Sequence, residues 1–170
     1  MGTIVEITAV STDEAKADEA MTAAFGEIRR IEKLLSTYIP TSELSQVNQA
    51  AGIRPVSVSP EVITVIKEAL RIAELTEGGF NIALGPAIAL WSVTDQPHIP
   101  TARELEAVRP LIRYADIKVD EARRTVFLSR SGMRIDVGGI GKGYAADQAE
   151  AVLKEQGITN GIIAVAGDIK

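Results

Sequence analysis

The sequence lacks cysteine, long apolar runs and an excess of basic charge. The absence of cysteine excludes disulfide bonds and cysteine-ligated zinc sites, although it leaves the cellular compartment open. No apolar run approaches the roughly 20 residues that a membrane-spanning helix needs, and no basic start precedes an apolar core as in a signal peptide. The net charge of −5 provides no basic field for nucleic acid. Any phosphate-bearing ligand must therefore be held by local features of the chain.

Histidine is nearly absent as well. The single histidine, His98, lies in a polar loop between Pro97 and Pro100. No nucleophilic motif of cysteine, serine or carboxylate type surrounds it, so we expect this side chain to be solvated. The sequence motifs therefore identify no catalytic residue.

The composition that remains is that of a globular domain. The 170 residues are 46% hydrophobic and 24% charged, and they contain no linker, repeat or low-complexity stretch. We therefore predict one folding unit over residues 1–170. Residues 3–8 and 161–166 are predicted strands near the two ends. Because apolar strands are usually covered on both faces, we interpret the chain as a fragment of a longer protein.

The hydrophobic pattern predicts an α+β fold with helices packed on a mixed or antiparallel sheet. Helices are expected over residues 13–35, from an N-cap at Ser59 to Gly78 and Gly79, from a capping box at Thr101 to Arg109, and over residues 144–156. Further strands are expected over residues 116–119, 125–128 and 133–137. The last strand, the glycine-rich loop after it, the last helix and the terminal strand form one β-loop-α-β unit.

The glycine-rich loop is the most informative segment. Residues 136–147 read Asp-Val-Gly-Gly-Ile-Gly-Lys-Gly-Tyr-Ala-Ala-Asp, so backbone amides at a helix N-terminus can approach a phosphate. Tyr144 stands where a Walker A motif needs lysine, and the glycine spacing is one residue short of the dinucleotide fingerprint. The glycines could instead serve only a tight turn. Asp136 could bind a base or ribose and Lys142 a phosphate, or the two could form an ion pair.

Two other loops carry candidate ligand contacts. Residues 78–86 place Phe80 and Asn81 after two glycines, where an aromatic ring and an amide could meet a flat ligand. The alternative is a helix cap followed by a core Phe80 and an internally bonded Asn81. In the loop over residues 36–44, Tyr38 could face a ligand or close the core.

Taken together, these clusters resemble the ApbE family in order and spacing. The segments that carry the resemblance span the whole chain: Met1-Gly-Thr3, Leu34-Leu-Ser-Thr-Tyr38 with Ser42-Glu-Leu44, Gly79-Phe-Asn81 with Gly85-Pro86 and Leu90-Trp91, residues 136–147, and Ala164-Val-Ala-Gly-Asp168. Many relatives have aspartate where this chain has Asn81, which keeps hydrogen bonding but removes a charge.

The resemblance implies an FAD:protein FMN transferase. Such an enzyme uses Mg²⁺, takes FAD as substrate, moves FMN onto a serine or threonine hydroxyl of a partner flavoprotein and releases AMP. By the same resemblance, the FAD contacts are Met1, Tyr38, Gly79, Phe80, Asn81, Asp136 and Lys142, and the carbonyl of Gly139 is a metal ligand. The family's other metal ligands and catalytic residues are expected beyond Lys170, so the resemblance implies that residues 1–170 are an N-terminal flavin-binding portion that is incomplete for catalysis. Since the family's members are often periplasmic lipoproteins, the resemblance also implies a periplasmic or membrane-anchored full-length protein.

Two alternatives share some of these features. An FAD-binding protein or FAD pyrophosphatase would use the same binding residues, and the pyrophosphatase would release FMN and AMP to water. A non-catalytic α+β scaffold would use the glycines only for its turns.

Overall fold

The computed structural model describes residues 3–92 and 97–170. In this part of the chain the helices are α1 Glu14–Leu35, α2 Glu43–Gln49, α3 Pro60–Leu75, α4 Gly85–Trp91, α5 Ala102–Val108 and α6 Gly141–Glu155. The strands are β1 Val5–Ala9, β2 Val56–Ser57, β3 Ile117–Asp120, β4 Thr125–Leu128, β5 Gly161–Val165 and β6 Asp168–Ile169. None of the described helices is long and apolar enough to cross a bilayer.

The chain divides into two compact units, and each has its own antiparallel sheet. The first unit combines Met1–Ser36 with Gly138–Lys170, and the second is Thr37–Val137. The described strands form two three-stranded sheets, ordered β1-β5-β6 and β2-β4-β3. This arrangement confirms the α+β class, with antiparallel pairing in both sheets.

In the first unit, α1 and α6 pack through small side chains. The buried residues of this core are mainly alanine on the helices and branched aliphatic residues on β5: Ala17, Ala20, Ala24, Ala146, Ala149, Ile163 and Val165. Small side chains at a helix contact allow the two helix axes to approach closely. The helix predicted over residues 13–35 is confirmed, and Asp13 is its N-cap, since the Asp13 carboxylate accepts a hydrogen bond from the Lys16 backbone N–H at 3.1 Å.

In the second unit, α3 begins at Pro60 as predicted, but its N-cap works differently. The Ser59 hydroxyl forms no capping hydrogen bond, whereas the backbone N–H of Ser59 donates to the Glu43 carboxylate at 2.6 Å. At the other end, Gly78 has a φ of 86° and its N–H donates to the Ala73 carbonyl at 2.8 Å. The predicted helix end at the glycine pair thus matches a left-handed C-terminal turn.

The prediction of a strand over residues 133–137 is wrong. The side chains do alternate, because Met133, Ile135 and Val137 are buried, but no strand within residues 3–92 and 97–170 pairs with this segment. Its backbone instead hydrogen-bonds to the side chain of Asn48 and to the carbonyl of Ile82. The segment is therefore extended and ordered without belonging to a sheet.

Two helices were not predicted, and each begins at the end of a predicted loop, 36–44 or 78–86. These are α2 and α4, each of seven residues. Helices of two turns show too few periodic positions to be distinguished from a loop by pattern alone. Both are central to the candidate site, as described next.

Candidate functional site

The second unit contains a cavity of about 350 Å³. The residues that line it come from the loop before α2, from α2, from α4 and from the extended segment near residue 135: Thr37, Tyr38, Asn48, Gly85, Ile88, Ala89, Ser92, Arg134, Ile135 and Asp136. Small-molecule sites commonly measure about 300–1,000 Å³, so this cavity can hold one moiety of a dinucleotide such as a flat ring system.

The polar wall of the cavity is built on the extended segment. Alternation places Arg134 and Asp136 on one face while Ile135 is buried on the other. The Asp136 backbone N–H donates to the Ile82 carbonyl at 2.9 Å, and its carboxylate accepts a hydrogen bond from the Thr37 hydroxyl at 3.3 Å. The half-buried carboxylate is therefore held in place and can accept hydrogen bonds from a ligand.

The apolar wall of the cavity comes from α4. Gly85, Ile88 and Ala89 are spaced three and four residues apart and lie on one face of the helix. Gly85 permits α4 to approach the extended segment, because a β-carbon there would lie 2.6 Å from the carbonyl oxygen of Arg134. An apolar wall opposite polar groups suits a flat ring with hydrogen-bonding edges.

Tyr38 stands at the rim of this cavity. Its side chain is 74% exposed, so it does not close the core, which was the alternative to a ligand-facing role. An exposed aromatic ring at a cavity rim can stack on a flat ligand. The structure thus brings together two of the predicted contacts, Tyr38 and Asp136.

The loop at residues 79–81 is bonded internally. The backbone N–H of Phe80 donates to the Thr76 hydroxyl at 2.9 Å, and the Asn81 side chain accepts from the Ala83 N–H at 2.9 Å. Among the described residues, Gly79, Phe80 and Asn81 are not part of the cavity lining. Their contact with FAD stays a prediction, although Ile82, which follows directly, anchors Asp136.

The glycine-rich segment belongs to the first unit and forms a turn before α6. The N-cap Ile140 provides no side-chain hydrogen bond, so the first amides of α6 have no side-chain cap. The Lys142 ammonium donates to the Gly138 carbonyl at 2.9 Å, which folds this cation back over the turn. Helix N-terminal amides beside an ammonium favour binding of a phosphate.

The predicted metal ligand, Gly139, lies in this turn. Within the described ranges, no group of three or more histidine and carboxylate side chains could hold a metal ion. Mg²⁺ commonly keeps several waters and uses substrate phosphate oxygens beside a few protein ligands, so one carbonyl at Gly139 fits part of such a shell. Its role stays a prediction. Met1, a predicted FAD contact, lies outside the described residues.

The sequence analysis missed Arg134. Arg134 lines the cavity and also a neighbouring depression of about 370 Å³, whose other lining residues are Thr37, Pro40, Ser45, Asn48 and Gln49. A guanidinium binds carboxylate and phosphate groups well. The signal was available in the alternation over residues 133–137, which places positions 134 and 136 on one face. Asn48 gave no such signal, since nothing in its local sequence indicates a ligand or a distant partner.

Comparison with known proteins identifies the family. The ApbE family model matches residues 1–170, and the chain belongs to this family. An FAD:protein FMN transferase of Klebsiella pneumoniae (strain 342) is 34% identical, with 99% of this chain and 52% of the relative covered. The enzyme of the same name from Salmonella typhimurium (strain LT2) is 30% identical, with 98% and 49% covered. The chain thus spans about half the length of these curated relatives.

Solved structures show the same fold. The flavin transferase ApbE from Vibrio cholerae superposes with a TM-score of 0.87 at 29% identity, covering 100% of this chain and 56% of that one. The ApbE protein from Thermotoga maritima gives a TM-score of 0.90 at 28% identity, covering 99% and 55%. The family assignment made from separated motifs is therefore confirmed over the whole chain.

Proposed function

We propose that this chain binds FAD and forms part of an FAD:protein FMN transferase. The observation that carries the proposal is the cavity of the second unit, where Tyr38 and Asp136, predicted from separate motifs to contact FAD, meet beside an apolar wall. The relatives named FAD:protein FMN transferase support the same activity. In this proposal Tyr38 stacks on the flavin ring and Asp136 accepts hydrogen bonds from it.

The proposed reaction exchanges a phosphoanhydride linkage of FAD for a phosphate ester on the acceptor protein. A serine or threonine hydroxyl oxygen of the acceptor protein forms a bond to the FMN phosphorus. The bond from that phosphorus to the bridging oxygen breaks, AMP leaves with the electron pair, and the hydroxyl proton passes to solvent. In this proposal, the amides at the start of α6 and the Lys142 ammonium bind phosphate oxygens, which is supported by the positive potential of a helix N-terminus. Bound Mg²⁺ would supply charge neutralisation of the pyrophosphate.

Fluorescence titration with FAD tests the binding site. Asp136→Ala should raise the dissociation constant about tenfold to a hundredfold, because it removes a charged hydrogen-bond acceptor worth about 1.5–3 kcal/mol. Glu74→Ala is the matched control, since it removes an exposed carboxylate of α3 in the same unit. An unchanged dissociation constant in folded Asp136→Ala protein would remove this carboxylate from the site.

Mass spectrometry distinguishes the transferase from the alternatives. The assay uses a protein that contains this chain together with the segment expected beyond Lys170. It is incubated with FAD, Mg²⁺ and an acceptor flavoprotein, and we expect an FMN adduct on a serine or threonine together with AMP. Free FMN and AMP without an adduct would indicate a pyrophosphatase. Failure to bind FAD in the titration would indicate a scaffold whose glycines serve only its turns.

A further inference from the structure

Asn48 makes an unusual pair of hydrogen bonds with the extended segment that carries the polar wall. The Ile135 backbone N–H donates to Asn48 Oδ1 at 2.8 Å, and Asn48 Nδ2 donates to the Ile135 carbonyl at 2.9 Å. Residues that face each other in a hydrogen-bonded antiparallel pair exchange the same two bonds. The side-chain amide of Asn48, which is 87 residues from Ile135 in sequence, therefore takes the place of a neighbouring strand.

These bonds act on the centre of the polar wall. Ile135 lies between Arg134 and Asp136, and all three residues line the cavity. Fixing both peptide groups of Ile135 restricts the backbone rotation that would otherwise turn its two neighbours away from the ligand. The Asp136 N–H is fixed separately by the Ile82 carbonyl, so the segment is held from two directions.

The helix that carries Asn48 is well anchored. The Ser42 hydroxyl caps α2 by accepting from the Ser45 N–H at 3.0 Å, and Leu44 and Val47 are 0% and 1% exposed. The Glu43 carboxylate also accepts a hydrogen bond from the Ser59 N–H. Asn48 thus belongs to a well-packed helix, and its hydrogen bonds can restrict the motion of the extended segment.

We propose that Asn48 is a positioning residue for the flavin cavity, which it supports by holding Arg134 and Asp136 through the backbone of Ile135. This inference rests on the proposed FAD binding. The amide is suited to the task because it donates and accepts at once. An ionised carboxylate at the same position could only accept, and its second oxygen would face the Ile135 carbonyl.

The variant Asn48→Asp tests the need for a side-chain donor at this position through the pH dependence of FAD affinity. At pH 8 the introduced carboxylate cannot donate to the Ile135 carbonyl, and we expect FAD affinity to fall about tenfold or more. The Ile135 carbonyl favours the protonated form of the introduced group, whereas the Ile135 N–H favours the ionised form, so the titration itself gives the pH midpoint. As the pH falls through that midpoint, protonation restores a donor, and affinity relative to the wild type should recover.

Gln46→Glu is the matched control for this substitution. Gln46 lies on the same helix and is exposed. Its side-chain amide donates to the Thr41 carbonyl at 3.1 Å. The charge change is identical, yet affinity and its pH dependence should match those of the wild type. Asn48→Ala, which has no titrating group, should lose affinity equally at pH 8 and pH 5 and guards against an Asn48→Asp protein that fails to fold.

Nuclear magnetic resonance of the ligand-free protein separates this proposal from the proposed function. In Asn48→Asp, the amide resonances of Arg134, Ile135 and Asp136 should shift with one common pH midpoint, whether or not FAD binds. A wild type that does not bind FAD, together with these shifts, would refute flavin binding and retain the positioning role. Folded Asn48→Asp and Asn48→Ala proteins with wild-type affinity at every pH would overturn the positioning role.

Discussion

At the scale of single residues, Gly85 shapes the cavity because it has no side chain. Gly85 has a φ of −48°, which any residue can adopt, so its backbone conformation does not require glycine. What requires glycine is space, because an added β-carbon would lie 2.6 Å from the carbonyl oxygen of Arg134 and 2.7 Å from its Cβ. The constraint on this position is therefore purely one of packing.

Gly85→Ala should consequently push α4 away from the extended segment. We expect a loss of about 1–3 kcal/mol in the free energy of unfolding, the usual range for overpacking, together with weaker FAD binding. Gly26→Ala is the control, since a β-carbon at that position in α1 meets nothing within 4 Å. This second change should stabilise the protein by about 0.5–1 kcal/mol through helix propensity. Urea unfolding of both variants measures the difference, and equal stabilities would contradict it.

At the scale of elements, helix caps were the most predictable feature. The α5 capping box is confirmed, since the Thr101 hydroxyl accepts from the Glu104 N–H at 3.3 Å and the Glu104 carboxylate accepts from the Thr101 N–H at 2.8 Å. These bonds connect residues three apart, so both partners are visible in one short stretch of sequence. The β4 boundaries were predicted for a similar reason, because alternation and a polar turn are both local.

The capping box should make α5 sensitive to acid. The backbone N–H of Thr101, then its hydroxyl and His98, hold the pKa of Glu104 at about 2 instead of 4.5. Since the folded-state pKa is depressed, the stabilisation is fully present above about pH 4.5 and is lost as the pH falls through about 2. The protection of the α5 amides against exchange, relative to their intrinsic exchange rate at each pH, should therefore decrease across this window in the wild type.

Glu104→Gln tests the assignment of that titration. The neutral amide can still accept a hydrogen bond but does not ionise. The protection of the α5 amides against exchange should therefore change less between pH 4.5 and 2 than in the wild type. Glu106→Gln, on the same helix but outside the capping box, is the comparison. A wild-type pH profile in Glu104→Gln would assign the acid sensitivity to another group.

Elements that depend on distant partners could not be predicted from the sequence. Residues 133–137 have the alternation of a strand, yet their partner is the side chain of Asn48, 87 residues from Ile135. Nothing near either residue indicates this pairing. Tyr38 and Asp136 are also far apart in sequence, and both line one cavity. The family resemblance predicted both as FAD contacts, whereas the local sequence pattern did not indicate that they lie close together.

At the scale of the whole molecule, the net charge does not favour the proposed binding of FAD. The net charge is −5, and the FAD pyrophosphate is itself anionic, so long-range electrostatics do not favour the encounter. The proposed binding of FAD would therefore depend on local features such as Arg134 and the apolar face of α4, which line the cavity. These features belong to the second unit, Thr37–Val137, which has its own sheet and core.

If the native cavity binds FAD and the unfolded chain does not, the ligand must raise the melting temperature. At a free FAD concentration 100 times the dissociation constant, the stabilisation is about 2.7 kcal/mol. For a chain of 170 residues, this should shift the melting temperature by about 5–10 °C. Circular dichroism at increasing FAD concentrations measures the shift, and Asp136→Ala should require about tenfold to a hundredfold more FAD for the same effect. A melting temperature that ignores FAD in the wild type would contradict binding to the native state, whatever the fluorescence titration showed.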